Sequence, residues 1–249
     1  MNISGNTILI TGGGSGIGQA LAVALHAAGN TVIITGRRES ALKETVATHK
    51  GMAYEVLDVT STESIAAFAA TAATKYPALN VLVNNAGVMI AEDVNADGFA
   101  ASIAEDMITT NLTGPIRLTA ALLPHLKTRP HSTIVNVTSG LAFVPLAMTP
   151  TYSATKAALH SYSQSLRYQL RNTNVEVLEL APPGVATDLM PGHRENPQSM
   201  PLADYVAESM GILGGTPPKG EILVERVKFL RNAEATGSFD KVFGMLNPA

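Results

Sequence analysis

The chain has 249 residues, 46% hydrophobic and 15% charged, too apolar for disorder and too broken by 21 glycines and 14 prolines for a membrane protein. A formal net charge of −3, with no basic run, argues against nucleic acid and anionic lipid as partners. The absence of cysteine excludes disulfides, thiolate metal sites and cysteine nucleophiles, and no metal is expected.

Residues 1–5 are polar and lack the basic, apolar and small-residue regions of a secretory signal, so a cytoplasmic location is expected. Residues 7–11 form a β-branched apolar run that leads into Gly12-Gly-Gly-Ser15-Gly16-Ile17-Gly18. Apolar periodicity follows at Ile17, Leu21, Ala24, Leu25 and Ala28, which reads as strand, glycine turn and helix. Glycine lets backbone approach a pyrophosphate, and the first helical turn offers it free N–H groups and a positive dipole end. The spacing Gly-x-x-x-Gly-x-Gly differs from the commoner Gly-x-Gly-x-x-Gly, and a purely structural turn is the competing reading.

A second strand, 31–35, ends in Gly36-Arg37-Arg38, with no carboxylate where a dinucleotide-binding unit grips a ribose diol. Two guanidiniums there suit a 2′-phosphate, which favours NADP(H) over NAD(H), although Arg38 also fits a solvated surface. A helical stretch near 39–48 precedes a third strand, 52–57, that ends at Asp58. This aspartate suits either an adenine amine or a turn, and Thr60 with Glu63 predicts a capping box for the next helix. Residues 81–83 are a further strand running into Asn84-Asn85-Ala86-Gly87, small enough to let a ribose close.

Residues 97–126 read as a long helix, and Asn111 followed by Gly114-Pro115 predicts a kink or freed carbonyls in its middle. A strand at 133–138 presents Ser139 at its end, and an apolar loop with Phe143, Val144, Leu146 and Met148 leads to a helix beginning near Tyr152. Tyr152 and Lys156 are four apart and share one helical face. A fixed ammonium favours phenolate, but lowering a phenol pKa by ~3 requires ~4 kcal/mol, which needs a site shielded from water and a cationic cofactor ring. A solvated surface pair is the alternative. A sixth strand, 175–181, stops at Pro182-Pro183-Gly184. Residues 187–218 look like a substrate lid around a short helix at 202–210, followed by an amphipathic segment at 221–235 and an apolar tail.

Strands alternating with helices predict an α/β fold, a doubly wound parallel sheet with helices on both faces and ligands at the strands' carboxyl ends. Thr11-Gly12-x-x-x-Gly16-x-Gly18, Asn84-Asn85-Ala86-Gly87, Asn111, Ser139 and Tyr152-x-x-x-Lys156 occur in order over almost the whole chain. In these motifs the sequence resembles the short-chain dehydrogenase/reductase family. Glu221-Ile-Leu-Val224 and the stretch 239–247 resemble the branch named after DltE.

The resemblance implies a single Rossmann-type domain over 1–249 and an oxidoreductase that interconverts a ketone or aldehyde and an alcohol by hydride transfer. Tyr152 would be the general acid or base, Ser139 would hold the substrate oxygen, Lys156 would bind the nicotinamide ribose, and Asn111 would complete a proton relay. Cofactor contacts are expected from Gly12, Ser15, Gly16, Ile17, Gly18, Arg37, Arg38, Asp58, Val59, Asn85, Ala86, Gly87, Tyr152, Lys156, Pro182, Val185 and Thr187. Substrate contacts are expected from Ser139, Leu141, Phe143, Tyr152, Leu189 and Met190, and the assembly is expected to be a homo-oligomer, dimer or tetramer. Two features depart from the family: Pro183 stands where a glycine is usual, and no seventh strand is recognisable after Glu221. The competing functions are an NADH-preferring carbonyl reductase of the same fold, a non-catalytic dinucleotide-binding sensor or scaffold, and an NADP-dependent reductase or isomerase acting on nucleotide sugars or a C=C bond.

Overall fold

Runs of Ile, Val and Leu with no room for helical periodicity make the strands of the computed structural model, which describes residues 1–97, 100–215 and 217–248. These are β1 (Thr7–Thr11), β2 (Thr31–Gly36), β3 (Ala53–Val56), β4 (Leu79–Asn84), β5 (Ser132–Val137), β6 (Val175–Leu180) and β7 (Glu221–Ile222). All pair in parallel in the order β3-β2-β1-β4-β5-β6-β7, so the chain reverses direction across the sheet between β3 and β4. Such a reversal opens a crevice at the carboxyl ends of β1 and β4.

Both faces of the sheet are covered. Ile8 and Ile10 of β1 point into one core with α1 (Gly16–Ala27) and α7 (Leu202–Leu213); the intervening Leu9 points into the other with α3 (Thr62–Lys75), α5 (Gly114–Leu126) and α6 (Pro150–Leu170). That alternation is the pleat of a strand buried on both sides, and each such side chain contributes about 1.5–3 kcal/mol. The short α2 (Glu39–Ala47) follows β2, and α4 (Ala101–Ile108) precedes a π-helical turn at Thr109–Thr113. Among the buried polar groups, Asn84 donates to Thr119 and Asn136, and Asn136 donates to Ser163, which links α5, β4, β5 and α6 through the core.

Several expectations from sequence need correction. The long helix 97–126 is instead α4, the π-turn and α5; its residues 98 and 99 lie outside the described residues. Pro115 has no N–H to continue the ladder, and the Gly114 N–H reaches five residues back to the Thr109 carbonyl, which widens the turn. Ser61, not Thr60, caps α3, accepting from Ser64 N at 3.1 Å, because Asp58 engages the Thr60 hydroxyl. A seventh strand does exist, two residues long and paired with Glu179 and Leu180. The segment 221–235 is this strand, a 3-10 turn at Glu225–Val227 and the single-turn α8 (Lys228–Arg231), and the apolar tail forms α9 (Phe239–Leu246). The expected lid 187–218 divides: Tyr205, Val206 and Leu213 of α7 are buried in the core against α1, leaving the irregular part N-terminal to Leu202; Thr216 lies outside the described residues.

Candidate active site

The turn after β1 packs so closely against the turn after β4 that side chains are excluded. A Cβ on Gly12, whose φ is +67°, would stand 3.0 Å from Ala86 Cα, and one on Gly18 would stand 2.3 Å from Asn85 Nδ2 and 2.5 Å from the Gly12 carbonyl. Thr11 ties the two turns together: its hydroxyl accepts from Asn85 N at 2.9 Å and Ala86 N at 3.0 Å, while Asn85 Nδ2 donates to the Thr11 carbonyl at 2.9 Å. The role of this threonine was not visible in sequence beyond its place in the motif. Ser15 precedes α1 in extended conformation without a side-chain cap bond, so the first N–H groups of α1 are open toward this crevice. Ile17 is half-buried against the core.

Arg37 and Arg38 are both exposed at the end of β2, and Arg38 Nη2 donates to Ser15 Oγ at 3.4 Å, which brings one guanidinium to the glycine turn. A Cβ on Gly36 would meet nothing nearer than Leu42 Cδ2 at 3.7 Å. Asp58 Oδ1 accepts from the Thr60 amide and hydroxyl, at 2.9 and 2.7 Å, so it shapes a turn, and Val59 beside it is buried. On the opposite side Thr187 is buried with its side chain 3.7 Å from the Cβ position of Gly16. Val185 is in the core, and the Pro182 carbonyl accepts from Gly140 N at 2.8 Å.

The π-turn aims Asn111 inward. Its Oδ1 accepts from Val88 N and its Nδ2 donates to the Val88 carbonyl, both at 2.9 Å, and Nδ2 also reaches Thr155 Oγ1 at 3.2 Å. Asn111 therefore clasps the chain just past Gly87 and joins it to α6. On α6 the buried residues Tyr152, Lys156, Ser163 and Leu170 follow a helical stripe facing the sheet, so Tyr152 and Lys156 are not a solvated surface pair. Lys156 Nζ donates to the Val137 carbonyl at 2.8 Å and lies 5.5 Å from the Tyr152 ring centroid and 3.7 Å from the Cβ position of Gly87.

Burial dominates the protonation of both groups. It pushes the Tyr152 phenol up to about 12, with the Ser139 hydroxyl pulling the other way, and it brings the Lys156 ammonium down to about 8. From sequence a depressed phenol is conditional on a shielded site and a cationic cofactor ring; the site is shielded, and in the protein by itself burial holds Tyr152 protonated. Ser139 is buried at the end of β5, where its Oγ accepts from Leu141 N at 3.1 Å and its O–H is turned to the Tyr152 phenol.

Tyr152, Met89 and Met107 form a small apolar cluster with Val88, Ile103, Leu141, Leu146 and Met190 against it. Leu189 is exposed. Phe143, expected to contact substrate, meets His160 edge-on with its ring at 4.8 Å and lies 4.8 Å under the Arg231 guanidinium. That guanidinium grips Glu221 with two bonds of 2.8 and 2.9 Å, and His160 Nδ1 lies 2.8 and 2.9 Å from the Glu179 carboxylate, which also accepts from Thr138 Oγ1 at 2.7 Å. His160, Glu179 and Glu221 converge as metal ligands would, but these hydrogen bonds already occupy their ligand atoms within the protein. The same C-terminal segment supports the serine turn, since a Cβ on Gly140 would lie 2.5 Å from Leu230 and 2.9 Å from Val227. No described helix is long and apolar enough to cross a membrane.

A family profile described as short chain dehydrogenase matches residues 6–198. The chain is 42% identical to oxidoreductase DltE of Bacillus subtilis, covering 99% of this chain and 98% of that one. It is 33% identical to an oxidoreductase of Staphylococcus saprophyticus over 73% of this chain and 79% of the relative. Among solved structures, a short-chain dehydrogenase from Streptomyces avermitilis superposes with a TM-score of 0.81 at 32% identity, covering 98% and 96% of the two chains. One from Burkholderia cenocepacia, in complex with NADP, gives 0.83 at 23% identity over 99% of both chains, a likeness of fold.

Proposed function

The chain belongs to the short-chain dehydrogenase family, in the branch of Bacillus subtilis DltE, and from that membership we propose an NADP(H)-favouring oxidoreductase that interconverts a ketone or aldehyde and an alcohol. The observation that carries this reading is the buried convergence of Ser139, Tyr152, Lys156 and Asn111 beside the Asn85–Gly87 turn, next to an apolar cluster without a free charge of its own.

The glycine turn supports a dinucleotide, because Gly12 and Gly18 let it lie against the Asn85–Gly87 turn without side chains between them and the uncapped N–H groups at the start of α1 suit a pyrophosphate. NADP is bound by the Burkholderia cenocepacia protein and NAD by one from Burkholderia phymatum. In this chain Gly36 offers no acid to a ribose diol, and Arg37 with Arg38 supports a 2′-phosphate. Ser15, Gly16, Ile17, Asp58, Val59, Ala86, Pro182, Val185 and Thr187 complete the proposed cofactor contacts. When bound, the dinucleotide supplies or accepts the hydride.

The protein's own share is proton transfer and orientation. In the reductive direction Tyr152, held protonated by burial, gives its proton to the carbonyl oxygen as negative charge develops there. Ser139, whose Oγ already accepts from Leu141 N, would turn its hydroxyl proton from the phenol to the same oxygen, so two donors meet one developing alkoxide. Lys156, with its ammonium 5.5 Å from the phenol ring, favours the phenolate that results. Leu141 and Met190 would contact the apolar part of the substrate.

The test is loss of NADPH absorbance with acetophenone and 2-octanone as neutral ketones. Tyr152→Phe should retain NADPH binding, followed by cofactor fluorescence, and lose at least about a hundredfold in kcat. Wild-type turnover in Tyr152→Phe would remove the phenol from the chemistry, and tight cofactor binding without turnover of any carbonyl would favour a dinucleotide sensor.

A further inference from the structure

The helix that carries Tyr152 begins without a cap of its own. Pro150 occupies its first turn and brings no N–H; the capping position is Thr149, whose hydroxyl donates back to the Leu146 carbonyl at 3.4 Å and makes no cap bond. The missing acceptor comes from a distant loop. Both oxygens of the Glu92 carboxylate are used, one accepting from Thr151 N at 2.9 Å and the other from Thr151 Oγ1 at 2.8 Å. The backbone of the same residue donates from Glu92 N to the Met148 carbonyl at 2.9 Å. Glu92 thus spans the junction between the 141–149 loop and α6, and it is only 9% exposed.

We propose that Glu92 is a positioning residue for Tyr152: it fastens the first turn of α6 to the chain segment that leaves the Asn85–Gly87 turn. A carboxylate is suited to the place, because the end of a helix with open N–H groups favours negative charge. The segment between Gly87 and Glu92 is itself fixed at its start, where Asn111 clasps both backbone groups of Val88. One short, twice-anchored stretch therefore runs from the turn proposed to meet the cofactor to the residue that precedes the phenol. Without the second anchor the first turn of α6 has no acceptor for Thr151 N, and Tyr152, the next residue, frays with it. Misplacing a reacting group by about 1 Å costs up to about a hundredfold in rate, so a fault at Glu92 reaches the chemistry without touching it.

The inference rests on Tyr152 as the acid, and its test has one arm independent of that reading. The full-length wild type, Glu92→Ala, Glu92→Gln and Tyr152→Phe are compared with NADPH and acetophenone, and amide hydrogen exchange is measured on the same proteins. In Glu92→Ala, the amides of residues 151–156 should exchange at least about tenfold faster while 160–170 keep their rates. Its kcat should fall about tenfold, with KM for acetophenone and the NADPH dissociation constant within about twofold of wild type. Glu92→Gln keeps an oxygen for Thr151 N and should recover kcat to within about threefold of wild type. Unchanged exchange in 151–156 overturns the anchoring. Faster exchange with unchanged kcat reduces Glu92 to an ordinary cap and overturns the positioning role, as does a Glu92→Gln no better than Glu92→Ala. Full activity in Tyr152→Phe, by contrast, is a failure of the proposed chemistry and leaves the exchange result standing.

Discussion

Replacing Lys156 by methionine should make the protein more stable and less active at once. The ammonium is fully enclosed, and burial brings its pKa from 10.5 to about 8, which corresponds to about 3 kcal/mol of folding free energy at neutral pH. Methionine fills a similar volume without charge, but it leaves the Val137 carbonyl without its 2.8 Å partner, at a cost of about 1–2 kcal/mol. The net gain is about 1–2 kcal/mol at pH 7, or about 2–8 °C in Tm for a chain of this size. The sign with pH follows from proton binding. Between about 8 and 10.5 the unfolded chain binds the lysine proton and the folded one does not, so wild-type stability recovers as pH rises through that window. The advantage of Lys156→Met should therefore be full below pH 8, vanish near pH 9 and turn into a deficit of about 1–2 kcal/mol by 10.5, where the neutral amine still donates to the Val137 carbonyl. Chemical denaturation of both proteins at pH 7 and pH 10, with NADPH-dependent turnover measured alongside, tests this. A variant less stable than wild type at pH 7, or one whose advantage is the same at both pH values, would refute the reasoning that burial of this charge is costly.

Gly36→Asp combined with Arg37→Ala should reverse cofactor preference, because the Cβ has room beside Leu42 and the carboxylate would accept from a ribose diol; the shift in the NADPH to NADH ratio of kcat/KM should be roughly ten- to hundredfold. An unchanged ratio would place Arg37 in solvent. Gly18→Ala would press a Cβ to 2.3 Å from Asn85 Nδ2 and 2.5 Å from the Gly12 carbonyl, so it should cost about 1–3 kcal/mol in urea denaturation and weaken NADPH binding. Wild-type values for both would mean that the two turns are looser than their contacts imply.

What could be read from sequence was whatever is local. Each β-branched run became a strand because nothing in it supports another periodicity, and Tyr152 with Lys156 fell on one buried face because four residues are about one helical turn. What could not be read depends on partners far away in the chain. Glu92 looks like any loop acid until Thr151 is beside it, and the contacts of Phe143 with His160 and Arg231 exist only in the folded chain. The two-residue β7 is too short for a period, and only its pairing with β6 defines it. The helix α7 was readable, expected at 202–210 and observed over Leu202–Leu213, but the burial of its Tyr205, Val206, Ser209 and Leu213 face was not, because the flanking prolines and glycines suggested a lid.

The support beneath the serine turn has a bearing on how the molecule is made. The glycine turn and the Asn85–Gly87 turn are tied to each other through Thr11, and their strands, β1 and β4, are complete once the chain has been synthesised to Asn84. The Ser139–Gly140 turn is different, for Val227 and Leu230 press directly beneath it and Arg231 holds Glu221 against the same edge. A chain leaving the ribosome with its N-terminus first thus finishes the two turns at the β1–β4 crevice early, while the floor of the serine turn waits for Leu230. Truncation before Val227 would then remove the floor of the serine turn while every residue of the two earlier turns stays in the chain.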